Sequence, residues 1–270
     1  MEKREVRGKV VVITGGGGGI GAALGGVWAA AGAKVALLDL DLAAAETAAA
    51  LIGAAGHQAM AARCDVCDAH SREAAISAVQ ARWGGVDVLI NNAGITHRSL
   101  FAETDDAVLR QVMDVNLFGA IGCTRAVWRD LIERRGQIIA ISSVAGFAPL
   151  LGRTAYAASK HAMAGFFSTL RTELAPHGVS VLVVYPAFTD TGLDKAALDA
   201  SGNATNSARR PVGKQMTPEF VAEAILRAAQ SDRRELLLSP VAKASRWLWQ
   251  LTPRLYERLM VRSQHGEFDG

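Results

Sequence analysis

The stretch Val10-Val-Val-Ile-Thr-Gly-Gly-Gly-Gly-Gly-Ile-Gly21 decides the fold of this chain, because it joins an apolar run to a run of glycines. Four β-branched apolar residues in succession are typical of a strand buried on both faces of a parallel sheet. The glycines allow a tight turn, and residues 20–31 have the composition of a helix. A flexible low-complexity tract is the alternative, but the position directly after a buried strand favours a strand–turn–helix unit.

Short apolar runs and helical stretches alternate along the rest of the chain. This alternation predicts right-handed βαβ units. We therefore expect an α/β fold of the Rossmann type, a doubly wound parallel sheet of about seven strands with helices on both faces. The predicted strands are 10–13, 34–38, 57–62 (the weakest), 86–90, 137–141, 179–185 and 235–238, and the predicted helices are 20–31, 42–55, 71–83, 105–133, 156–176 and 218–231.

No linker with a shift in composition divides the first 190 residues, so we predict one domain over residues 1–270. Segment 192–216 is polar and rich in small residues, and we interpret it as a lid over a site. Residues 241–263 form a helical extension with a break near Pro253. Such a basic amphipathic extension can lie on a membrane surface, cover a substrate pocket or pack against another subunit. Its apolar stripe consists of Leu248, Leu251, Leu255 and Leu259.

The composition argues against several classes of function. Half of the residues are hydrophobic and a fifth are charged, as in a globular domain. A net charge of +3 gives no reason to expect a nucleic-acid partner. Cys64, Cys67 and Cys123 are too few for a disulfide framework, and Cys64-x-x-Cys67 lacks the second pair of a zinc site, so we expect no metal. Residues 1–9 have no signal-peptide pattern, and we expect a cytoplasmic protein, with peripheral membrane contact through the C-terminal helix as an option.

An acidic residue after the second predicted strand turns the glycine run into a candidate dinucleotide site. Asp39 stands 18 residues after Gly21, where such a unit places a carboxylate on the adenosine ribose hydroxyls. The helix that follows the glycines offers free N–H groups to the phosphates. A carboxylate here repels the 2′-phosphate of NADP, and the glycine loop contains no Lys or Arg, so NAD is favoured. The alternative is that Asp39 caps a helix, a role for which Asp41 is better placed.

The motif Tyr156-Ala-Ala-Ser-Lys160 indicates acid–base chemistry. Residues four apart on a helix share a face, and a nearby ammonium lowers the pKa of a phenol toward working pH. Such a phenol can take a proton from an alcohol or give one to a ketone. Ser143 comes 13 residues earlier, after a predicted strand. Asn91-Asn-Ala-Gly94 also follows a strand, and although it can be a simple turn, ligands of open parallel sheets bind at such ends.

In this order and at these spacings, the motifs Thr14-Gly-x-x-x-Gly-x-Gly21, Asn91-Asn-Ala-Gly94, Asn116, Ser143 and Tyr156-x-x-x-Lys160 resemble the short-chain dehydrogenase/reductase family over about residues 8–190. The resemblance implies that Tyr156 is the general acid/base and that Lys160 lowers its pKa and holds the nicotinamide ribose. Ser143, with Tyr156, would bind the substrate oxygen, and Asn116 would hold a water that links Lys160 to solvent. The implied cofactor-binding residues are Gly15, Gly19, Ile20, Gly21, Asp39, Asp65, Val66, Asn92, Ala93, Gly94, Tyr156, Lys160, Pro186, Thr189 and Thr191.

The segment Pro186-Ala-Phe-Thr-Asp-Thr191 resembles the family's Pro-Gly-x-x-x-Thr, which binds the nicotinamide carboxamide, with Ala187 in place of the usual glycine. The activity implied is NAD-dependent hydride transfer between a secondary alcohol or ketone and nicotinamide, with alcohol oxidation as the net direction. One alternative is an NADPH-dependent ketone or 3-oxoacyl reductase, which Asp39 argues against. Another is a non-catalytic nucleotide-binding protein, which the presence of Tyr156 and Lys160 argues against.

The substrate is expected to be a hydrophobic small-molecule alcohol or ketone, steroid-like or aromatic, because the residues expected near the site are mostly apolar. Packing of a lid or a subunit contact explains the same residues equally well. The long helices 105–133 and 156–176 resemble those that build dimers and tetramers in the family, so a homodimer or homotetramer is expected. The apolar positions are Ile95, Val144, Phe147, Leu150, Leu151, Phe188 and Leu193, with His97 and Arg153 as polar exceptions.

Overall fold

A parallel sheet of seven strands runs through the computed structural model of the protein, which describes residues 4–187, 189, 197–205 and 215–264. The doubly wound α/β fold is confirmed, and the weakest predicted strand, 57–62, is present as an edge strand. The strands are β1 (Val10–Thr14), β2 (Lys34–Asp39), β3 (Ala59–Arg63), β4 (Val88–Asn91), β5 (Gln137–Ile141), β6 (Ser180–Tyr185) and β7 (Glu235–Leu237). Their order in space is β3-β2-β1-β4-β5-β6-β7.

Helices cover both faces of this sheet and follow the predicted pattern closely. The C-terminal extension is broken where Pro253 was expected to break it. The helices are α1 (Gly19–Ala30), α2 (Leu42–Ala54), α3 (Ala69–Trp83), α4 (Asp106–Met113), α5 (Ala120–Ala126), α6 (Trp128–Glu133), α7 (Thr154–Leu174), α8 (Pro218–Gln230), α9 (Pro240–Leu251) and α10 (Pro253–Gln264).

The strands separate two hydrophobic layers because successive side chains of a strand point to opposite faces. Val11 and Ile13 of β1 pack into the layer that also holds Trp28 of α1 and side chains of α2 and α8. Val10 and Val12 pack into the other layer, with Phe167 of α7 and side chains of α3 and α5. Burying a side chain such as Phe167 contributes about 1.5–3 kcal/mol. The apolar run 10–13 of β1 is therefore the direct consequence of burial on both faces.

The predicted continuous helix over 105–133 is wrong in detail. After α4 the chain widens into a π-helical turn, Asp114–Gly119, and a second interruption lies at Val127 between α5 and α6. The side-chain amide of Asn116 in this turn both accepts from the backbone N–H and donates to the backbone carbonyl of Ile95. Single π-helical turns inside helices are frequent at functional sites. The widened turn thus places Asn116 against the loop that follows β4.

The direction of chain winding reverses at β1, which lies between β2 and β4. At such a switch point the connecting segments leave in opposite directions and open a crevice beyond the carboxyl ends of the strands. The glycine loop after β1 and Asn91–Gly94 after β4 both lie at this crevice. Of the predicted lid, 192–216, the structure describes 197–205, 215 and 216, and Leu198 there pairs with the backbone beside His97. The remainder of the lid lies outside the described residues.

Candidate active site

A cavity of about 1090 Å³ occupies the crevice beyond the carboxyl ends of the strands. Each of the first six strands contributes lining residues from the segment at or just after its end, as the topology requires. The far wall comes from α9 and α10. Lining residues at the strand ends include Gly15, Asp39, Asp65, Asn92, Ser143 and Pro186.

The glycine loop is shaped by close backbone approach. Gly15 and Gly19 have φ of +65° and +53°, in the left-handed region that favours glycine. A Cβ on Gly21 would collide with the carbonyl oxygen of Gly15 and would lie 2.8 Å from the side-chain nitrogen of Asn92. That nitrogen donates to the carbonyl oxygens of Thr14 and Gly15, each at 3.0 Å. The loop therefore fits a dinucleotide pyrophosphate, which needs backbone close to the ligand at the start of α1.

Asp39 holds the loop from the adjacent strand. One oxygen of its carboxylate accepts a hydrogen bond from the backbone N–H of Gly17 at 2.8 Å, and the other accepts from the N–H of Asp41 at 3.0 Å. Asp41 caps α2 by accepting from the N–H of Ala44. Both acids line the cavity, but Asp39 holds the glycine loop whereas Asp41 is the residue that caps the helix.

Tyr156 and Lys160 lie on the first turns of α7 and both line the cavity. The Lys160 ammonium lies 5.8 Å from the centroid of the Tyr156 ring and donates to the carbonyl oxygen of Ile141 at 2.8 Å. Lys160 is 4 % exposed, and this burial lowers its pKa to about 8. Ser143 follows β5, and its hydroxyl accepts from the N–H of Ala145 at 3.1 Å. One cavity therefore contains a phenol, a hydroxyl and a buried amine.

Buried side-chain hydrogen bonds fix the helix that carries Tyr156. The Asn116 amide accepts from the N–H of Ile95 at 2.8 Å and donates to the Ser159 hydroxyl at 2.9 Å. Ser159 in turn donates to the carbonyl oxygen of Tyr156 at 2.8 Å. Ser142 donates to the carbonyl oxygen of Lys160 at 3.0 Å. These bonds tie the π-helical turn and the end of β5 to the first turns of α7.

Comparison with known proteins agrees with this geometry. The family model described as short chain dehydrogenase matches residues 9–201, which is more than half of the chain. The chain belongs to the short-chain dehydrogenase/reductase family. It is accordingly an NAD(P)-dependent oxidoreductase with a Rossmann-type fold.

Relatives of this short-chain dehydrogenase/reductase match nearly its whole length. "Dehydrogenase/reductase SDR family member 7B" of Bos taurus is 36% identical over 270 residues, covering 97% of this chain and 83% of the relative. A family protein "7-like" of Drosophila melanogaster is 34% identical over 279 residues, covering 96% and 82%. The crystal structure of a family member from Burkholderia phymatum in complex with NAD is 27% identical, with a TM-score of 0.83, covering 93% of this chain and 96% of that one.

Most of the predicted cofactor and catalytic residues of this dehydrogenase/reductase line the same cavity. The exceptions differ in kind. Asn116 and Gly21 lie behind the wall, where Asn116 holds Ile95 and Ser159 and Gly21 supports the glycine loop. Thr191 lies outside the described residues. The predicted residues that line the cavity are Gly15, Gly19, Ile20, Asp39, Asp65, Val66, Asn92, Ala93, Gly94, Ser143, Tyr156, Lys160, Pro186 and Thr189.

The residues expected to form an apolar substrate wall are only partly brought together. Ile95, Val144 and Leu150 line the cavity, as does Arg153. Phe147 and Leu151 do not, and the Phe147 ring instead packs edge-on against Tyr185, with ring centroids 5.5 Å apart. His97 is fully buried away from the cavity. Phe188 and Leu193 lie outside the described residues.

Much of the apolar wall comes from the C-terminal helices, for which the sequence left membrane contact, pocket cover and subunit packing open. Leu251 and Leu255 are 71 % and 46 % exposed, so the predicted leucine stripe does not face the cavity as a unit. The positions that line the cavity recur at the i, i+3, i+4, i+7 spacing of one helix face. This periodicity is the feature of the sequence that could have identified them. Tyr256 fastens α10 by donating to the carbonyl oxygen of Pro149 at 3.3 Å. The lining residues are Val241, Ala244, Ser245 and Leu248 of α9 and Tyr256, Leu259, Met260, Ser263 and Gln264 of α10.

The cysteines lie apart from the catalytic groups. Cys64 and Cys123 are buried and hydrogen-bonded to each other, which lowers the pKa of Cys64 and raises that of Cys123, whereas Cys67 is exposed. Within residues 4–187, 189, 197–205 and 215–264, His, Cys, Asp and Glu form no group of three that could hold a metal ion. In the same part of the chain, no helix combines the length and the apolar character that crossing a bilayer requires.

Proposed function

We propose that this protein oxidises a hydrophobic secondary alcohol to a ketone with NAD, using Tyr156 as the general base. The observation that carries the proposal is the shared cavity. Tyr156, Lys160 and Ser143 line it together with Gly15, Asp39 and the other residues expected to hold a dinucleotide. Hydride transfer requires the protein to bind the cofactor and to supply a group that exchanges a proton with the substrate. The residues for both tasks lie in one crevice.

The proton follows a simple path in this arrangement. The Tyr156 phenolate takes the hydroxyl proton of the alcohol, while the Ser143 hydroxyl donates a hydrogen bond to the same substrate oxygen. When bound, the nicotinamide supplies the acceptor for the hydride that leaves the carbinol carbon. Lys160, held by the carbonyl of Ile141, places its positive charge near the Tyr156 ring and favours the phenolate. The water that Asn116 is expected to hold for Lys160 stays a prediction.

The preference for NAD rests on charge at the adenosine end. Two carboxylates, Asp39 and Asp41, line the cavity there. The Lys and Arg residues among the described lining residues are Arg153 and Lys160, and both belong to the region around Tyr156. A 2′-phosphate placed beside Asp39 would therefore meet negative charge without a compensating cation of the wall. Asp65 and Val66 are proposed to contact the adenine, and Pro186 and Thr189, with Thr191, the nicotinamide.

The hydrophobic character of the substrate is inferred from the apolar residues that line the cavity together with Tyr156. These residues include Val144 and Leu150 from the segment before α7, and Leu248, Leu259 and Met260 from α9 and α10. Apolar walls with few polar groups bind apolar ligands and leave orientation to those polar groups. Ser143 and Tyr156 would supply that orientation. An alcohol with a large hydrocarbon body fits this description better than a polyol does.

The direct test is a turnover screen with purified protein. NAD is combined with hydrophobic secondary alcohols, polyols and hydroxyacyl compounds, and formation of reduced cofactor is followed by absorbance. We expect turnover with hydrophobic secondary alcohols and NAD, and a lower kcat/KM with NADP. A preference for NADPH with ketones or 3-oxoacyl compounds would instead support a reductase. Cofactor binding without turnover of any of these compounds would support a nucleotide-binding role.

We further propose that α9 and α10 contact an anionic membrane surface. Trp247 and Leu251 are 65 % and 71 % exposed, and Leu255 and Leu259 are about half exposed. Exposed arginines at 254, 258 and 262 lie among them on α10. Flotation with anionic vesicles tests the proposal, and the full chain carrying Trp247→Glu and Leu251→Glu is the comparison. We expect the wild type to float with the vesicles and the substituted chain not to. Equal flotation of the two proteins contradicts the proposal.

A homodimer or homotetramer is proposed through the helices between residues 106 and 174. Exposed aromatic side chains lie on this stretch at Phe118, Trp128 and Phe166, with Phe118 57 % exposed. Large exposed apolar side chains are common at subunit contacts. Sedimentation velocity of the wild type and of Phe166→Asp tests the proposal. We expect the variant to dissociate, and a monomeric wild type contradicts it.

A further inference from the structure

One buried imidazole remains that the catalytic scheme above does not use. His97 lies between β4 and α4 and is 0 % exposed. Its Nε2 accepts a hydrogen bond from the backbone N–H of Ala155 at 3.1 Å. Ala155 is the second residue of α7, and the residue that follows it is Tyr156. The imidazole therefore contacts the helix at the position next to the proposed general base.

This contact takes the place of a missing helix cap. The first N–H groups of a helix have no partner within it, and a Ser, Thr, Asp or Asn side chain at the N-cap usually accepts from one of them. At the start of α7 the N-cap is Arg153, whose side chain makes no capping bond. His97 supplies the acceptor from a segment 58 residues earlier in the chain.

The hydrogen bonds around His97 define its tautomer. Because Nε2 accepts from Ala155, the proton lies on Nδ1, which is 3.2 Å from the Ser99 hydroxyl. Ser99 lies 2.7 Å from the Thr104 hydroxyl, and Thr104 donates to the carbonyl oxygen of Leu100 at 2.8 Å. Donors and acceptors can then be ordered in one direction, from Nδ1 through Ser99 and Thr104 to a backbone carbonyl. The tautomer that caps α7 is thus the one the network favours.

The segment that carries His97 is itself held in place. The N–H of Ser99 donates to the carbonyl oxygen of Gly152 at 3.1 Å, just before α7. On its other side, the N–H of Arg98 donates to the carbonyl oxygen of Leu198 at 2.8 Å. Ile95, two residues before His97, is clamped by the Asn116 amide. A cap mounted on a segment fixed in this way can define where the first turn of α7 begins.

We propose that His97 is a positioning residue for Tyr156, because its imidazole fixes the first turn of α7 and so sets the place of the phenol in the cavity. The inference rests on the proposed role of Tyr156. Without the cap, the amide of Ala155 loses its acceptor and the first turn frays. A displacement of about 1 Å at a reacting group lowers rates by as much as 10²-fold. His97 does not line the cavity, and Lys160 keeps its own anchor on the carbonyl oxygen of Ile141, so we expect cofactor affinity to change little.

The test uses two substitutions, each of which keeps one of the two hydrogen bonds made by the imidazole ring. In His97→Gln the side-chain oxygen reaches the position of Nε2 and can still accept from Ala155. In His97→Asn the shorter amide matches Nδ1, so it keeps the contact with Ser99 but cannot reach Ala155. We expect kcat of His97→Asn to fall by up to about 10²-fold with the Kd for NAD unchanged, and His97→Gln to retain most of the wild-type kcat.

Hydrogen–deuterium exchange gives a readout that does not need turnover. We expect the peptide that contains the first turn of α7 to exchange faster in His97→Asn than in wild type and in His97→Gln. Thr217→Ala is the matched control. It removes the cap of α8, where the Thr217 hydroxyl accepts from the N–H of Phe220 at 3.2 Å. Fraying confined to α8 with kcat unchanged is expected there.

Three results would overturn the positioning role. One is a wild-type kcat in His97→Asn, and another is an equal loss in the Gln and Asn variants, which would indicate a demand for ring volume. The third is unchanged exchange at the start of α7 in His97→Asn. If the wild type has no dehydrogenase activity, the proposed function fails, while the exchange experiment still decides whether His97 caps α7.

Discussion

The two ends of the cavity are built by different means. At the glycine end, shape comes from missing side chains, since a Cβ on Gly21 would strike the carbonyl oxygen of Gly15. At the catalytic end, shape comes from buried side-chain hydrogen bonds, in which Asn116, Ser159 and His97 hold the start of α7. Substitutions at the glycine end should therefore act on cofactor binding, and substitutions at the catalytic end on rate with binding retained.

The largest expected effect tests the catalytic end. Tyr156→Phe removes the hydroxyl that exchanges a proton with the substrate, so we expect kcat to fall by about 10²–10⁴-fold. Steady-state kinetics measures this loss, and fluorescence titration measures the Kd for NAD, which should change little. A variant that turns over at the wild-type rate would remove Tyr156 from the acid–base role.

The glycine end gives the next effect. Gly21→Ala places a methyl group against the Gly15 carbonyl and the Asn92 side chain, and overpacking of this kind costs about 1–3 kcal/mol. The loop can relieve this contact only by leaving the shape that fits the pyrophosphate, so cofactor binding has to restore the strain. We therefore expect NAD affinity to fall by about 10–100-fold, measured by calorimetry. Gly26→Ala is the control on the same helix, because a Cβ there meets nothing within 4 Å. Equal affinity in the two variants would contradict the steric account.

Local signals in the sequence were enough for the sheet, the glycine loop and the motif that carries Tyr156. The β1 run, the left-handed glycines and the Tyr156–Lys160 spacing each depend on residues close together in the chain. The π-helical turn at Asp114–Gly119 was missed because the contacts that accompany it, from the Asn116 side chain to Ile95, join segments 21 residues apart. The His97 cap on Ala155 was missed for the same reason.

The C-terminal helices show a second reason why part of the cavity could not be predicted from the sequence. Both α9 and α10 have several apolar positions, and helical periodicity alone does not say which face meets the protein. Tertiary contacts choose it, since Tyr256 reaches Pro149 and the N–H of Leu151 donates to the sulfur of Met260 at 3.3 Å. The leucine stripe is therefore divided, because Leu248 and Leu259 line the cavity whereas Leu251 and Leu255 are exposed.

A third prediction concerns acid stability at the catalytic end. Burial, and then the positive charge of Arg153, lower the pKa of His97 to about 4, against 6.5 for an unperturbed histidine. As pH falls from 6.5 to 4, His97 becomes protonated in the unfolded chain but stays neutral in the folded state. His97 therefore contributes stability above pH 6.5 that is lost progressively toward pH 4, on the order of 3 kcal/mol.

Urea unfolding at several pH values measures this term, with His97→Gln as the comparison because glutamine does not titrate. The difference in unfolding free energy between wild type and variant should shift in favour of the variant as pH falls from 6.5 to 4. Parallel pH profiles of the two proteins would show that His97 titrates normally in the folded state.

The smallest expected effect separates charge from shape at the glycine end. Asp39→Asn keeps an acceptor for the N–H of Gly17, which holds the glycine loop, but it loses the acceptor for the N–H of Asp41 and the negative charge. Arg63 lies opposite Asp39 in the β2–β3 register, but it is exposed and does not line the cavity, so its positive charge is not part of the cavity wall. We expect the Kd for NAD to rise about 10-fold, as a charged hydrogen bond of about 1.5–3 kcal/mol becomes a neutral one, and the Kd for NADP to fall. Asp41→Ala removes the cap of α2 and the second carboxylate at this end of the cavity but leaves Asp39 in place, so it should change the ratio of the two Kd values less than Asp39→Asn does. If Asp39→Asn weakens NAD and NADP equally, Asp39 acts through the loop it holds, and the charge argument for NAD is wrong.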